Sequence, residues 1–194
     1  MYWLIAVGVA AVGAIWILNG ICIIQGIRTH ITSQVLSHTG LAVFFSLPTI
    51  EFTFGIAYPW HHYWADLVQI PGFVLYGLGI YLVASSFHAL ATQGRAKGKD
   101  FTTTTKLMQT GIYGIVRHPM MLGVALWSVG MMLVFRSLIS LFMGSICVAL
   151  FFLASVLETK HNAMKFGQAY RDYSARVPMW NLFARLWRAR GRHM

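Results

Sequence analysis

Residues 111–123 read Gly-Ile-Tyr-Gly-Ile-Val-Arg-His-Pro-Met-Met-Leu-Gly, so a guanidinium and an imidazole stand side by side where a long apolar stretch begins. Ionisable groups are costly at such a boundary, and a function is their default explanation. Arg117 and His118 can hold an anion. Pro119 suits the first turn of the helix that follows, where its missing N–H costs nothing and the free N–H groups nearby face the same anion. Upstream, Gly111 can take a positive φ or let a ligand approach the backbone, and Tyr113 adds a ring and a hydroxyl. A carboxylate arrives from far along the chain: Glu158 closes a later apolar stretch, with His161 one turn on along the same helix face. Together these groups make either a structural salt bridge or a charged pocket, and Glu158 or His118 could serve as a base in the pocket.

The elements that must position them are membrane helices. The 194 residues are 57% hydrophobic and 10% charged, with mean hydropathy +0.62, too apolar for an ordinary soluble domain. A spanning helix takes about 20 apolar residues. Five segments qualify: Met1 to Gln25, Val35 to Ala57, Leu67 to Ala91, Met120 to Phe135 and Leu138 to Leu157. The last two are separated by little more than Arg136 and Ser137, which predicts a tight helical hairpin. The expected fold is all-α and polytopic, one membrane domain over 1–194: three amino-terminal helices in 1–91, a chemical region in 92–180 and a basic tail in 181–194. Met1 to Gln25 lacks the basic start and small-residue cleavage site of a signal peptide and reads as a retained helix.

Charge placement orients the bundle. Of the 15 Lys and Arg residues, all but Arg136 fall in the first loop, the third loop or the tail, which by the positive-inside rule puts the amino terminus outside and the carboxyl terminus in the cytoplasm, most simply of a plasma membrane. The net charge of +10 is therefore a topology signal, and no nucleic-acid partner is expected. On the far side, Tyr58, Trp60, His61, His62, Tyr63 and Trp64 fit an interfacial aromatic belt better than a metal site. Cys22 and Cys147 lie in apolar stretches without ligand spacing and read as packing residues. Tyr81, Ser85, His88 and Thr92 recur at helical spacing and predict one polar stripe, lining either a helix contact or a pocket. The loop from Gly94 to Thr105 reads as a cover over the site below.

Gly-x-Tyr-x-x-x-Arg-His-Pro-x-x-x-Gly at 111–123, Glu158, Phe-Gly-x-x-Tyr-x-x-Tyr at 166–173 and Val-Pro at 177–178 together resemble the integral-membrane methyltransferases typified by isoprenylcysteine carboxyl methyltransferase, with the phospholipid methyltransferases as relatives. The resemblance covers roughly residues 80–180. It implies S-adenosylmethionine bound between the start of the fourth helix and the end of the fifth, and a lipophilic acceptor entering from the bilayer. On the matching positions, Leu107, Met108, Gly111 and Tyr113 would line the cofactor, His118 and Pro119 would hold it, and Arg117 with Glu158 would act on the acceptor. His88, Met121 and Tyr170 are assigned to acceptor binding. The chain departs from the usual pattern at Thr105, Met121 and Thr159. The same Arg117 to Trp127 stretch also resembles the NnrU and zeta-carotene isomerase family, which would imply haem b held by His118 with His88 or His161. A non-catalytic membrane scaffold is the third reading.

Finally, Trp180, Leu182, Phe183, Leu186 and Trp187 alternate with arginines up to Arg192, a pattern suited to a short amphipathic helix on an anionic leaflet or to a disordered basic end.

Overall fold

In a computed structural model, which describes residues 2–57, 66–93 and 106–182, six α-helices follow one another and no strand occurs among the described residues. They are α1 (Tyr2–Arg28), α2 (Thr32–Ala57), α3 (Gln69–Gln93), α4 (Pro119–Phe135), α5 (Leu138–Phe166) and α6 (Gln168–Arg176). Four helices, α1, α2, α3 with the short turn before it, and α5, are long and apolar enough to cross a membrane, and α4 is a shorter apolar helix of 17 residues. The all-α polytopic expectation holds. The aromatic loop 58–64, the loop 94–105 and the tail beyond residue 182 lie outside the described residues.

Packing runs in spatial order α1, α2, α5, α4, α3. The first helix packs chiefly on its neighbour α2 and buries little beyond Gly8 and Gly26, so most of its apolar surface faces outward. The interior gathers around α4 and α5, where Phe44 and Leu47 of α2 meet Val124, Met131, Cys147 and Phe151. Phe44 and Tyr76 both set ring edges against Trp127, with centroids 5.0 and 5.1 Å away.

The contact between α3 and α4 is made through glycine. A Cβ on Gly79 would lie 2.6 Å from the Gly123 carbonyl oxygen, and one on Gly130 would lie 2.8 Å from that of Gly72. Two glycines seven residues apart on each helix thus let the backbones touch, the small-residue packing that replaces hydrophobic drive between membrane helices. This seam also decides which side of α3 faces inward. Leu82, Ser86 and Ala89 follow the glycine face and are buried, whereas Tyr81, His88 and Thr92, on the opposite face, are exposed. The polar stripe predicted from spacing is therefore an outer face, because backbone approach rather than side-chain polarity chose the inner one.

The predicted α4–α5 hairpin is present. Arg136 takes a left-handed conformation, φ 55°, to end α4, and Ser137 caps α5 in a reciprocal box with Ser140. Arg136 pairs with Asp66, and the Ser137 hydroxyl donates to the buried Glu51 carboxylate. The fifth helix then runs past Leu157 without a break to Phe166, about 13 Å further than the apolar stretch alone. Gly167, at φ 58°, breaks it, and α6 turns back toward the start of α4.

Candidate functional site

Four segments converge at the α4 amino end. Residues 111–114 form a single 3₁₀ turn, entered through Gly111 at φ 61°. Nothing lies within 4 Å of where a Cβ on Gly111 would sit, so its backbone conformation, not crowding, calls for glycine. This turn packs beneath α3, and the Tyr113 hydroxyl bonds with Ser86. From α6, the Tyr173 hydroxyl donates to the Tyr113 carbonyl oxygen at 2.6 Å, and Tyr170 stacks edge-on with Tyr173. The chain after α6 closes the arrangement, since the Arg117 N–H donates to the Pro178 carbonyl at 3.0 Å.

His118 sits at the amino end of α4 with Pro119 immediately inside the helix, as the sequence predicts, and both are buried. The imidazole does not cap its own helix. Its Nε2 lies 2.9 Å from the Thr159 hydroxyl, and its Nδ1 faces a Glu158 carboxylate oxygen at 3.9 Å. Burial first, and the adjacent Arg117 charge second, push the imidazole down to about 3, so it is neutral at ordinary pH. A neutral imidazole this reluctant to take a proton is a weak base. Asn162, one turn along α5, hydrogen-bonds with Glu158, whose side chain is about one-third exposed, 36%.

Tyr113 and Tyr173 stay protonated. Burial raises the Tyr113 phenol, helped by the Glu158 carboxylate, and burial with Tyr170 raises Tyr173 against the opposing pull of Arg117. The coupling of Arg117 to both His118 and Tyr173 places its charge inside the cluster. Its Nε and the Tyr170 hydroxyl are buried with no hydrogen-bond partner among the described residues. No carboxylate pairs with Arg117 among them either. Orphaned buried polar atoms cost about 1–3 kcal/mol each, and two of them, on the approach to α4 and on α6, stand at this end of the bundle, where Trp127 Nε1 is a further one within the core.

Of the residues singled out from sequence, Gly111, Tyr113, Arg117, His118, Pro119, Glu158 and Tyr170 lie at this end of the bundle. Met108 is buried and Leu107 half-buried in the irregular run that leads into the 3₁₀ turn. Met121, half-buried on α4, has its sulfur 3.0 Å from the Ser155 hydroxyl of α5. His88 stands apart on the exposed outer face of α3, for the reason given above. Ser86, Thr159, Tyr173 and Trp180 join the site without having been selected. Thr159 and Tyr173 stand within or beside the motifs that carry the resemblance, and Ser86 is signalled by Gly72 and Gly79, which share its helix face.

Trp180 belongs to the bundle, not to a leaflet-bound tail. Its Nε1–H donates to the Ser155 hydroxyl at 3.0 Å, and its ring meets Phe152 edge-on at 5.4 Å. Leu182 packs against the Leu82, Val116 and Leu122 cluster.

The phospholipid methyltransferase family pattern matches residues 67–169, more than half of the chain, and takes in α3, the 3₁₀ turn, α4 and all of α5. The chain belongs to that family. It is also 35% identical over 74 residues to protein-S-isoprenylcysteine O-methyltransferase B of Arabidopsis thaliana, an alignment covering 38% of each chain. No solved structure matches.

Proposed function

We propose that the protein transfers a methyl group from S-adenosylmethionine to a lipophilic acceptor at the end of the bundle where α4 begins. Membership of a methyltransferase family supports the reaction class, and the orphaned Nε of Arg117 inside the cluster is the observation that carries the site. S-adenosylmethionine, when bound, supplies an activated methyl on a cationic sulfur and carries a zwitterionic amino-acid end.

The residues present fit such a molecule. Arg117 and the uncapped first turn of α4 offer donors for a carboxylate. Glu158 and the rings of Tyr113 and Tyr170 offer the negative and π faces that a cation seeks. Leu107, Met108 and the open side of Gly111 supply apolar lining and close backbone approach. His118, neutral and held by Thr159, orients Glu158 from one side without adding charge.

For a carboxylate acceptor, positioning by Arg117 suffices, because reaction then needs mainly an in-line and dehydrated approach. For an amine or thiol acceptor, Glu158 takes the proton. Met121 and Tyr170, on facing elements, lie where the acceptor's head would rest, whereas His88 on the outer face has no place in this arrangement. The name of the Arabidopsis relative makes a prenylated cysteine carboxylate one acceptor to try. We place this end in the cytoplasm, because the charge distribution of the sequence puts the basic loops there.

Calorimetric titration of the detergent-purified protein with S-adenosylhomocysteine tests the reading. Saturable binding that His118→Ala weakens is expected; a folded wild-type sample that binds nothing would return the haem and scaffold readings to the front. For the haem reading, His118 Nε2 is already engaged by Thr159 and His88 is exposed on the outer face of α3, which leaves His161 of α5 as its other candidate ligand.

A further inference from the structure

A lipophile that meets Arg117 and Glu158 from the bilayer must pass between helices, and the structure leaves few places for this. The α3–α4 seam is shut by backbone contact at both glycine pairs, where not even a methyl group fits. The α4–α5 pair is different. Just below the charged cluster its contact is between side chains, Met121 to Ser155, and Trp180, from outside the two helices, packs beside it, while Phe44 and Leu47 of α2 fill the pair deeper in.

Several observations describe that filling. Met121 lies three residues beyond His118 on α4, and Ser155 three residues before Glu158 on α5. Both therefore sit about 4.5 Å, most of a helical turn, deeper than the polar groups. Ser155 is fully buried; its hydroxyl donates to the Phe151 carbonyl at 2.8 Å and accepts from Trp180. The indole packs on both interior clusters, the one around Phe151 and the one around Leu122, yet it remains half-buried and its outer edge rests on Phe152, which is 44% exposed. The ring thus spans from the helix interior to the outer surface of α5. Its backbone is fixed at the site itself, because Pro178, two residues earlier, accepts from the Arg117 N–H. A single ordered segment connects the group proposed to position the acceptor with the ring that closes the way to it.

We propose that Trp180 is the bilayer-facing wall of the acceptor cleft between α4 and α5, a specificity-determining residue that limits the width of the lipophile reaching Arg117 and Glu158. This rests on the methyltransferase reading. A flat ring held by one hydrogen bond and edge contacts can form such a wall. It excludes water and lipid while the cleft is empty, and it can swing about two torsions without breaking the helices beside it.

The test uses the full chain in bilayers, with Cys22→Ser and Ser155→Cys introduced and the native buried Cys147 kept as a control for packing. Two bilayer-partitioning maleimides are compared, one with a slender dodecyl chain and one with a bulky pyrene. With Trp180→Ala, residue 155 is expected to react faster with both, the pyrene reagent gaining about tenfold over the dodecyl one, while Cys147 stays protected. Unchanged rates, or equal gains for the two reagents, would overturn the wall. So would parallel exposure of Cys147 in both Trp180→Ala and the milder Trp180→Leu, which would make Trp180 a packing residue only. S-adenosylhomocysteine titration of the same samples keeps the two ideas separate. Absent binding by the wild type sinks the methyltransferase reading, whereas intact binding with unchanged labelling sinks the wall alone.

Discussion

The two ends of the α4–α5 pair carry similar side chains in opposite situations. At the hairpin turn, Arg136 meets Asp66, Ser137 meets Glu51, and Ser137 and Ser140 cap each other's backbone. At the open end, Arg117 has no carboxylate partner among the described residues, the α4 amino end has no side-chain cap, and Tyr170 buries an unpartnered hydroxyl. One end spends its polar groups on holding two helices together. The other buries the Arg117 Nε and the Tyr170 hydroxyl without a partner among the described residues, at a cost in stability. Charge at a membrane boundary is thus not one kind of signal, and the difference lies in whether the protein itself supplies the counterpart.

If the ends differ in this way, Arg117→Ala should give the largest effect. Methyl transfer falls by about 10²–10³-fold, the scale seen when one positioning donor is lost, while the thermal midpoint holds or rises because an orphaned charge is gone. A variant that loses stability and activity in proportion would make the two ends alike.

A smaller effect comes from protons. The folded His118 binds its proton only near pH 3, against an ordinary value of 6.5, so the unfolded chain holds more protons between these limits. Stability contributed by the neutral imidazole is then present above about pH 6.5 and declines as pH falls, by about 2 kcal/mol between about pH 7 and pH 5. Thermal midpoints in detergent should drop over that window in the wild type and drop less in His118→Asn. Equal slopes would mean that the open end is wetter than its burial implies.

Smallest is the loss at the turn. Ser137→Ala removes the α5 cap and the donor to Glu51 together and should cost about 1–2 kcal/mol of stability. S-adenosylhomocysteine affinity should not change. A shift in affinity would join the two ends into one coupled unit and erase the contrast.

Much of this was readable from residue order. The hairpin followed from two apolar stretches separated by Arg136 and Ser137, the start of α4 from Pro119, and the positive φ from Gly111, each a local rule that needs no neighbour. The site residues within 107–123 were legible for the same reason: they are close in sequence and stand at a boundary between polar and apolar chain. Glu158 was legible as the carboxylate that closes an apolar stretch, whereas Tyr170 was reachable only through the spacing of a known family pattern. His88 shows where local periodicity fails, since its stripe is real but points outward.

The sequence by itself determined which segments are apolar helices, where α4 starts and hands over to α5, and which few polar residues stand at one end, because hydropathy, proline and glycine act within a turn or two of the chain. Only the tertiary structure decided which face of α3 turns inward, that Thr159 and not a carboxylate meets the His118 ring at hydrogen-bond distance, and that Trp180 leaves the tail to fill the α4–α5 cleft. Those outcomes depend on how closely two backbones can approach and on which side chain fills the space that remains, and neither distance is written in any one segment.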